Sequence, residues 1–222
     1  MNANDIIKNC KEQVRERIVQ YTTRAFHLLP VLERPLILDI GCGAGAPSVE
    51  LARLSKGHVV AFDIDQSSLD KFREKVKMTS FAGKISIVYC SLLALSFFNE
   101  IFDIIWAEGS IMFIGFEKGL REWKPWLKPN GYLVIHDDVQ HITKKLELIH
   151  TCGYKLITYF HLSKEIWWDE YYKPLQEEFD KLRVQHADDE EFLELLDPEQ
   201  EEIDNVRKSP ERHASVFFIM KK

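Results

Sequence analysis

Three glycines within five positions, with a carboxylate ahead of them and another further on, carry the clearest chemistry in this 222-residue chain. The run reads Asp39-Ile40-Gly41-Cys42-Gly43-Ala44-Gly45. Glycines so spaced tolerate positive φ and let backbone N–H groups come close to a ligand. Asp63 follows about 20 residues later, where an acid can accept the protons of two ribose hydroxyls. Gly41, Gly43 and Ala46 also satisfy the G-x-G-x-x-A fingerprint of dinucleotide sites, so the glycines and Asp63 alone leave the ligand open. Asp39 narrows the choice. An acid two residues ahead of the first glycine can orient the loop and a ligand's amino group, whereas it would repel a pyrophosphate.

A second set of polar groups closes later apolar runs. Glu108 follows Phe102–Ala107, and His136-Asp137-Asp138 follows Tyr132–Ile135. The carboxyl ends of strands in open α/β sheets are where ligands bind. Glu108, His136 and Asp137 are therefore the candidate general bases for an acceptor hydroxyl or amine. The same acids have the oxygen chemistry for Mg²⁺, but a solvated strand end capping the next helix is the plainer reading, and no metal is expected. Trp167-Trp168 and Tyr171-Tyr172 recur at helical spacing. They read either as an apolar stripe that docks a helical insertion or as an aromatic lid over the substrate. A lid of this kind would favour a cationic or amine-bearing acceptor.

The elements that must position these groups alternate in type. Ile6, Ile7, Cys10, Val14, Ile18 and Tyr21 recur at helical spacing and predict a helix over 5–29, stopped by Pro30. Short apolar runs predict strands at 36–40, 58–62, 85–89, 102–107, 132–136, 154–160 and 214–220. Helices are predicted over 46–54, 66–78, 117–127 and 142–151. Continuous apolar strands of this kind are buried in parallel sheets. Their alternation with helices implies right-handed crossovers and an open α/β sheet covered on both faces.

Charge divides the chain unevenly. There are 29 Lys and Arg against 35 Asp and Glu, a net charge of −6, so no global basic field attracts nucleic acid or anionic lipid. Residues 164–204 hold sixteen acids and four bases, a net of −12 that leaves +6 elsewhere. That shift marks 163–210 as an acidic helical insertion. The expected layout is a single domain over 1–222: an N-terminal helical cap (1–30), a cofactor-binding core (35–162), the insertion, and a last strand (213–221). The apolar runs are too short to span a bilayer, and the N-terminus has no apolar signal core. Cys10, Cys42, Cys90 and Cys152 lie at least 32 residues apart, which favours reduced thiols over a disulfide or zinc framework. The expectation is a cytoplasmic monomer or homodimer with a small-molecule substrate, and neither nucleic acid nor membrane as partner.

Asp39 ahead of the glycines, the turn Leu127-Lys128-Pro129-Asn130-Gly131 before the fifth strand, and the single strand after the sixth resemble the class I S-adenosylmethionine-dependent methyltransferases. The resemblance implies a Rossmann-like, seven-stranded sheet in the order 3-2-1-4-5-7-6, its last strand antiparallel. It implies S-adenosyl-L-methionine as cofactor and S-adenosyl-L-homocysteine as product. Carried over by position, Asp39, Gly41, Cys42, Gly43 and Gly45 form the cofactor loop, Asp63 and Ile64 meet the ribose end, and Ser91 and Leu92 flank the adenine. Ala107 and Glu108 face the methionine part. Ser91–Phe97 is similar to the family's S/D-x-x-x-L-P-F stretch, with Ser96 where proline is usual, and Asn130 stands where its turn has glycine. Trp106–Glu117 resembles the W-x-E-G-A-I-x-x-I-G-F-E stretch of a narrower bacterial and archaeal subgroup. Trp167, Tyr171, Tyr172 and Pro174 match that subgroup's W-x-x-x-Y-Y-x-P pattern, which marks Trp167 and Tyr171 as substrate candidates. The implied activity is methyl transfer to an oxygen or nitrogen of a small molecule. A non-catalytic S-adenosylmethionine-binding regulatory or scaffold protein is the alternative, and an NAD-dependent oxidoreductase is the third option.

Overall fold

Leu36–Ile40 forms β1, and four of its five residues are buried, as befits a strand enclosed on both faces. A computed structural model describes residues 2–222 and sets β1 inside a seven-stranded sheet. The other strands are β2 (His58–Asp63), β3 (Ile85–Tyr89), β4 (Phe102–Glu108), β5 (Leu127–Asp138), β6 (Lys155–Leu162) and β7 (Ser215–Lys221). Their order is β3-β2-β1-β4-β5-β7-β6, the order that the resemblance implies. β1 pairs in parallel with β2 and β4, β2 with β3, and β4 with β5.

Two predicted elements differ from the structure for local reasons. The helix expected over 5–29 is α1 (Ala3–Arg15), a 3₁₀ turn at Glu16–Ile18, and α2 (Val19–His27). β5 begins at Leu127, ahead of the predicted 132, because the Lys128–Gly131 turn loops out within the strand. Leu127 pairs with Phe102 and Tyr132 with Ile104, and Asn130 adopts a φ of 64° between them. Lys128 Nζ holds the bulge to the Asp103 carboxylate at 2.9 Å, and that carboxylate also accepts the Leu36 N–H at 2.8 Å. The remaining helices are α3 (Ala46–Ser55), α4 (Gln66–Lys77), α5 (Phe116–Trp123), α6 (Ile142–Thr151), α7 (Lys164–Trp167), α8 (Lys173–Gln185) and α9 (Glu190–Lys208). Pro125 follows α5 within a 3₁₀ turn and, lacking an N–H, ends the predicted 117–127 helix early.

The chain forms two compact units. Residues 20–161 and 216–222 build the sheet unit. On one sheet face Leu38, Ile40, Ile105, Ala107, Leu133 and Ile135 pack with Leu120 and Trp123 of α5 and Ile149 of α6. Residues 2–19 and 162–215 build a helical unit, in which Ile7, Cys10 and Val14 of α1 share a core with Tyr171, Leu175, Phe179, Phe192 and Leu196. The acidic segment thus gains its apolar layer by enclosing the first helix. Its charge stays outside, where Lys11 of α1 pairs with Glu199 and Glu202 of α9. Among the described residues no helix is long and apolar enough to cross a membrane.

Candidate cofactor-binding site

Sheet register gathers the ionisable groups. Partners in adjacent parallel strands project to the same face, and so do alternate residues along one strand. Asp39 is in register with Ala61 of β2 and Trp106 of β4, which puts Asp39, Asp63, Trp106 and Glu108 on one face. His136 of β5 is the partner of Glu108 and joins them. Four ionisable side chains from four strands therefore meet at the carboxyl edge, on the face opposite the α5–α6 core.

The glycine loop is sewn onto β2. The N–H groups of Gly41 and Cys42 both donate to the Phe62 carbonyl at 3.0 Å, and that of Gly45 donates to the Cys42 carbonyl at 2.9 Å. Gly43 N–H donates to Asp63 Oδ2 at 2.8 Å. A Cβ on Gly45 would lie 2.0 Å from the Phe72 ring of α4, whereas one on Gly43 would meet nothing within 4 Å. Glycine at 45 is thus required by packing, and glycine at 43 leaves the loop's outer face clear for a ligand.

Asp63 anchors the loop backbone with both of its oxygens. Its Oδ1 accepts the Asp65 N–H at 2.9 Å, so each oxygen anchors one backbone amide. A carboxylate has about four acceptor sites, which leaves capacity for ribose hydroxyls. Asp39 is 2% exposed, and its Oδ2 accepts a hydrogen bond from the Ser48 hydroxyl of α3. Burial pushes its carboxyl up from 3.8 to about 7; the Ser48 bond opposes the shift, and the charges of Glu108 and Asp63 reinforce it.

The sign of that shift gives a prediction. The folded state keeps a proton on Asp39 that the unfolded chain releases near pH 3.8, so between those values folding binds a proton. Stability contributed at this position falls as pH rises from about 4 through 7 and then levels. The stability of the native chain relative to Asp39→Asn, followed by scanning calorimetry from pH 4 to 8, is expected to decline across that window. A flat difference would show that Asp39 is ionised throughout.

Glu108 is held from two sides. Its Oε1 accepts the Thr22 hydroxyl of α2 at 2.8 Å and the Trp106 indole N–H at 2.7 Å, and both donor residues are fully buried. The His136 ring stacks on Phe217 with centroids 4.2 Å apart, and Phe217 stacks on Phe160 at 5.1 Å. The Arg24 guanidinium closes the column 4.1 Å over Phe160.

Asp137 has a partner that spacing did not reveal. Lys145 of α6, itself buried, lies 2.7 Å from Asp137 and 2.9 Å from Asp138. Among the described residues no group of three His, Cys, Asp or Glu is arranged to hold a metal ion. Removing one member of a buried ion pair strands the other. Lys145→Met is expected to cost about 3–5 kcal/mol of stability, read by denaturant unfolding, and Asp137→Asn in the same chain should recover part of the loss. Full stability in Lys145→Met alone would contradict this.

The other predicted residues occupy distinct settings. Ser91 caps a 3₁₀ turn by accepting the Leu93 N–H at 3.2 Å, and Leu92 packs half-buried on the sheet core. Ile64, next to Asp63, is 62% exposed. Cys42 is buried, and burial raises its thiol well above the ordinary range. Ala107 points into the opposite core, so only its backbone is available at the edge. Trp167 and Tyr171 lie in the helical unit, where their rings meet edge to face at 5.8 Å. Trp167 donates to the Ser215 hydroxyl at 2.8 Å, and Tyr171 is buried in that unit's core. Ser48, Ser110, Thr22 and Lys145 were not singled out from sequence. Ser110 donates to the Ile40 carbonyl at 2.6 Å, so it closes the end of β1 beneath the glycine loop.

Comparison with known proteins places related sequences and folds beside this chain. Residues 37–131 match a family described as a methyltransferase domain. Methyltransferase GfsG of Streptomyces halstedii is 29% identical over 119 residues, 53% of this chain and 43% of that protein. The ubiquinone/menaquinone biosynthesis C-methyltransferase UbiE of Vibrio vulnificus is 31% identical over 102 residues, 45% of this chain and 39% of that protein. The matched stretch thus spans about two fifths of these curated relatives. Among solved structures, the [4+2]-cyclase SpnF superposes with a TM-score of 0.77 at 16% identity, covering 92% of this chain and 81% of that one. A SAM-dependent methyltransferase from Thiobacillus denitrificans in complex with S-adenosyl-L-homocysteine gives 0.74 at 14% identity, covering 91% and 90%. With β7 between β5 and β6 and the methyltransferase-domain match running from β1 into β5, the chain has the Rossmann-like fold of the class I methyltransferases.

Proposed function

We propose that the chain binds S-adenosylmethionine and transfers its methyl group to an oxygen or nitrogen of a small molecule. The observation that carries this reading is the gathering of Asp39, Asp63 and Glu108 on one sheet face beside the glycine loop. Three carboxylates there suit a ligand with a ribose and positive charge, and they oppose a pyrophosphate. The strand order, with β7 inserted before β6, also differs from the 3-2-1-4-5-6 sheet of dinucleotide-binding folds, so an NAD-dependent reaction has little support.

In this reading Asp63 accepts the ribose hydroxyls, Glu108 balances the charge of the amino-acid end, Asp39 adds to it as its carboxyl ionises near pH 7, and Ile64, Ser91 and Leu92 border the adenine. When bound, the cofactor supplies a methyl on positive sulfur: the acceptor–carbon bond forms as the carbon–sulfur bond breaks, and its electron pair stays on sulfur. The protein's share is alignment and exclusion of water. His136, on the same face as Glu108, is the group best placed to take the proton that a hydroxyl or amine acceptor loses. Asp137 is committed to Lys145 and suits that task less. The four free cysteines support a reducing, cytoplasmic compartment.

The same fold houses a cyclase, so the reaction must be tested on the site and not inferred from the fold. The chain is incubated with methyl-labelled S-adenosylmethionine and a small-metabolite extract, and labelled products are identified by mass spectrometry. Label on oxygen or nitrogen of a small molecule is expected. Label on carbon would overturn the acceptor atom, and cofactor binding without transfer to any fraction would favour the non-catalytic alternative.

A further inference from the structure

Glu108 is a rim carboxylate held by a neutral hydroxyl from α2, a helix outside the glycine-loop elements. Thr22 sits in the middle of α2, is fully buried, and donates its hydroxyl to Glu108 Oε1 at 2.8 Å. Trp106, two residues earlier on β4, donates to the same oxygen at 2.7 Å. Two donors on one oxygen fix both the position and the plane of the carboxylate, since either bond alone would leave it free to turn about the other. A buried threonine on an otherwise apolar helix face has no packing advantage over valine, which has nearly its shape. Its hydroxyl therefore serves Glu108. The fixed carboxylate lies on the same sheet face as Asp39, by the register of Asp39 with Trp106, and its negative charge is felt there.

We infer that Thr22 is a positioning residue that holds Glu108 against the ammonium-bearing end of the bound cofactor, so that α2 selects for the amino-acid part of the ligand. The inference rests on the S-adenosylmethionine reading and adds a division of labour to it. Asp63 reads the ribose, whereas the Thr22–Glu108 pair reads the charged tail.

Two probes separate these roles. S-adenosylhomocysteine carries the amino-acid tail, and 5′-methylthioadenosine keeps the nucleoside but lacks that tail. By calorimetric titration, Thr22→Val is expected to weaken S-adenosylhomocysteine binding about five- to twentyfold, a part of the roughly ten- to hundredfold worth of one hydrogen bond to a charged group, since the ligand feels that bond only through Glu108. Binding of 5′-methylthioadenosine should stay within about twofold, and Thr22→Ser should restore the native affinity for both. In a Glu108→Gln chain, adding Thr22→Val should have no further effect on S-adenosylhomocysteine, because the pair acts as one unit. Thr22→Ala removes the same hydroxyl without branching and should show the same selectivity, which keeps the test available if the valine variant does not fold. Equal losses for both probes, or no loss for S-adenosylhomocysteine, would overturn the positioning role while leaving the cofactor reading intact. A native chain that binds neither probe would overturn both.

Discussion

Asp63→Ala is expected to weaken S-adenosylmethionine binding by about ten- to a hundredfold, the loss for hydrogen bonds from two hydroxyls to a charged acceptor. The structure gives reasons for the upper end of that range. Asp63 accepts the Gly43 and Asp65 N–H groups at 2.8 and 2.9 Å, so its removal frees the glycine loop from β2 in addition to removing the proposed ribose acceptor. Asp63→Asn separates the two effects. An amide keeps one carbonyl acceptor, which can hold Gly43 or the ribose but cannot serve both with full charge. It should therefore fall between the native chain and the alanine variant in affinity. The measurement is calorimetric titration, with thermal unfolding to establish that each variant is folded. An unchanged dissociation constant in folded Asp63→Ala would show that the ribose is bound elsewhere.

Gly45→Ala is expected to be the most destabilising single methyl addition in the glycine loop. Gly45 has a φ of +79°, where an L-residue costs about 1–2 kcal/mol. Its Cβ would also lie 2.0 Å from Phe72, and Phe72 is fully buried in α4, so the ring has nowhere to retreat. Overpacking of this kind adds about 1–3 kcal/mol, and the two terms together lower the melting temperature by roughly 5–15 °C in a chain of this size. Gly43→Ala is the control. Gly43 also has positive φ, but its Cβ would meet nothing within 4 Å, so only the backbone term remains and the added methyl enters the open space proposed for the ligand. Gly43→Ala is expected to lose affinity more than stability, and Gly45→Ala to lose stability first. Scanning calorimetry and ligand titration on the two variants check that reversal, and equal melting temperatures would contradict it.

The sheet was legible because its strands are continuous apolar runs bounded by Gly, Pro or polar residues, and six of the seven begin within one residue of where those runs begin. β5 does not, because a bulge around Asn130 reads locally as a turn before the strand. The break between α1 and α2 was invisible for the opposite reason: the apolar spacing runs through Glu16–Ile18 without interruption. The glycine loop and its two aspartates were legible from residue type and spacing alone. Their supports were not. Ser48, Thr22 and Lys145 lie in helices, where serine, threonine and lysine ordinarily read as solvent-facing, and only the three-dimensional register shows that each meets a rim carboxylate. Trp167 and Tyr171 stood out as aromatic and paired, and the structure gives them partners inside the helical unit, where α1 closes a core with the acidic segment.

Three carboxylates and a glycine loop are proposed to bind an adenosyl cofactor bearing positive charge. The most direct test is calorimetric titration of the native chain with S-adenosylmethionine and, in parallel, with NAD. Saturable binding of S-adenosylmethionine that Asp39→Asn and Asp63→Ala each weaken is expected, with no heat of binding for NAD. Binding of NAD with none of S-adenosylmethionine would contradict it.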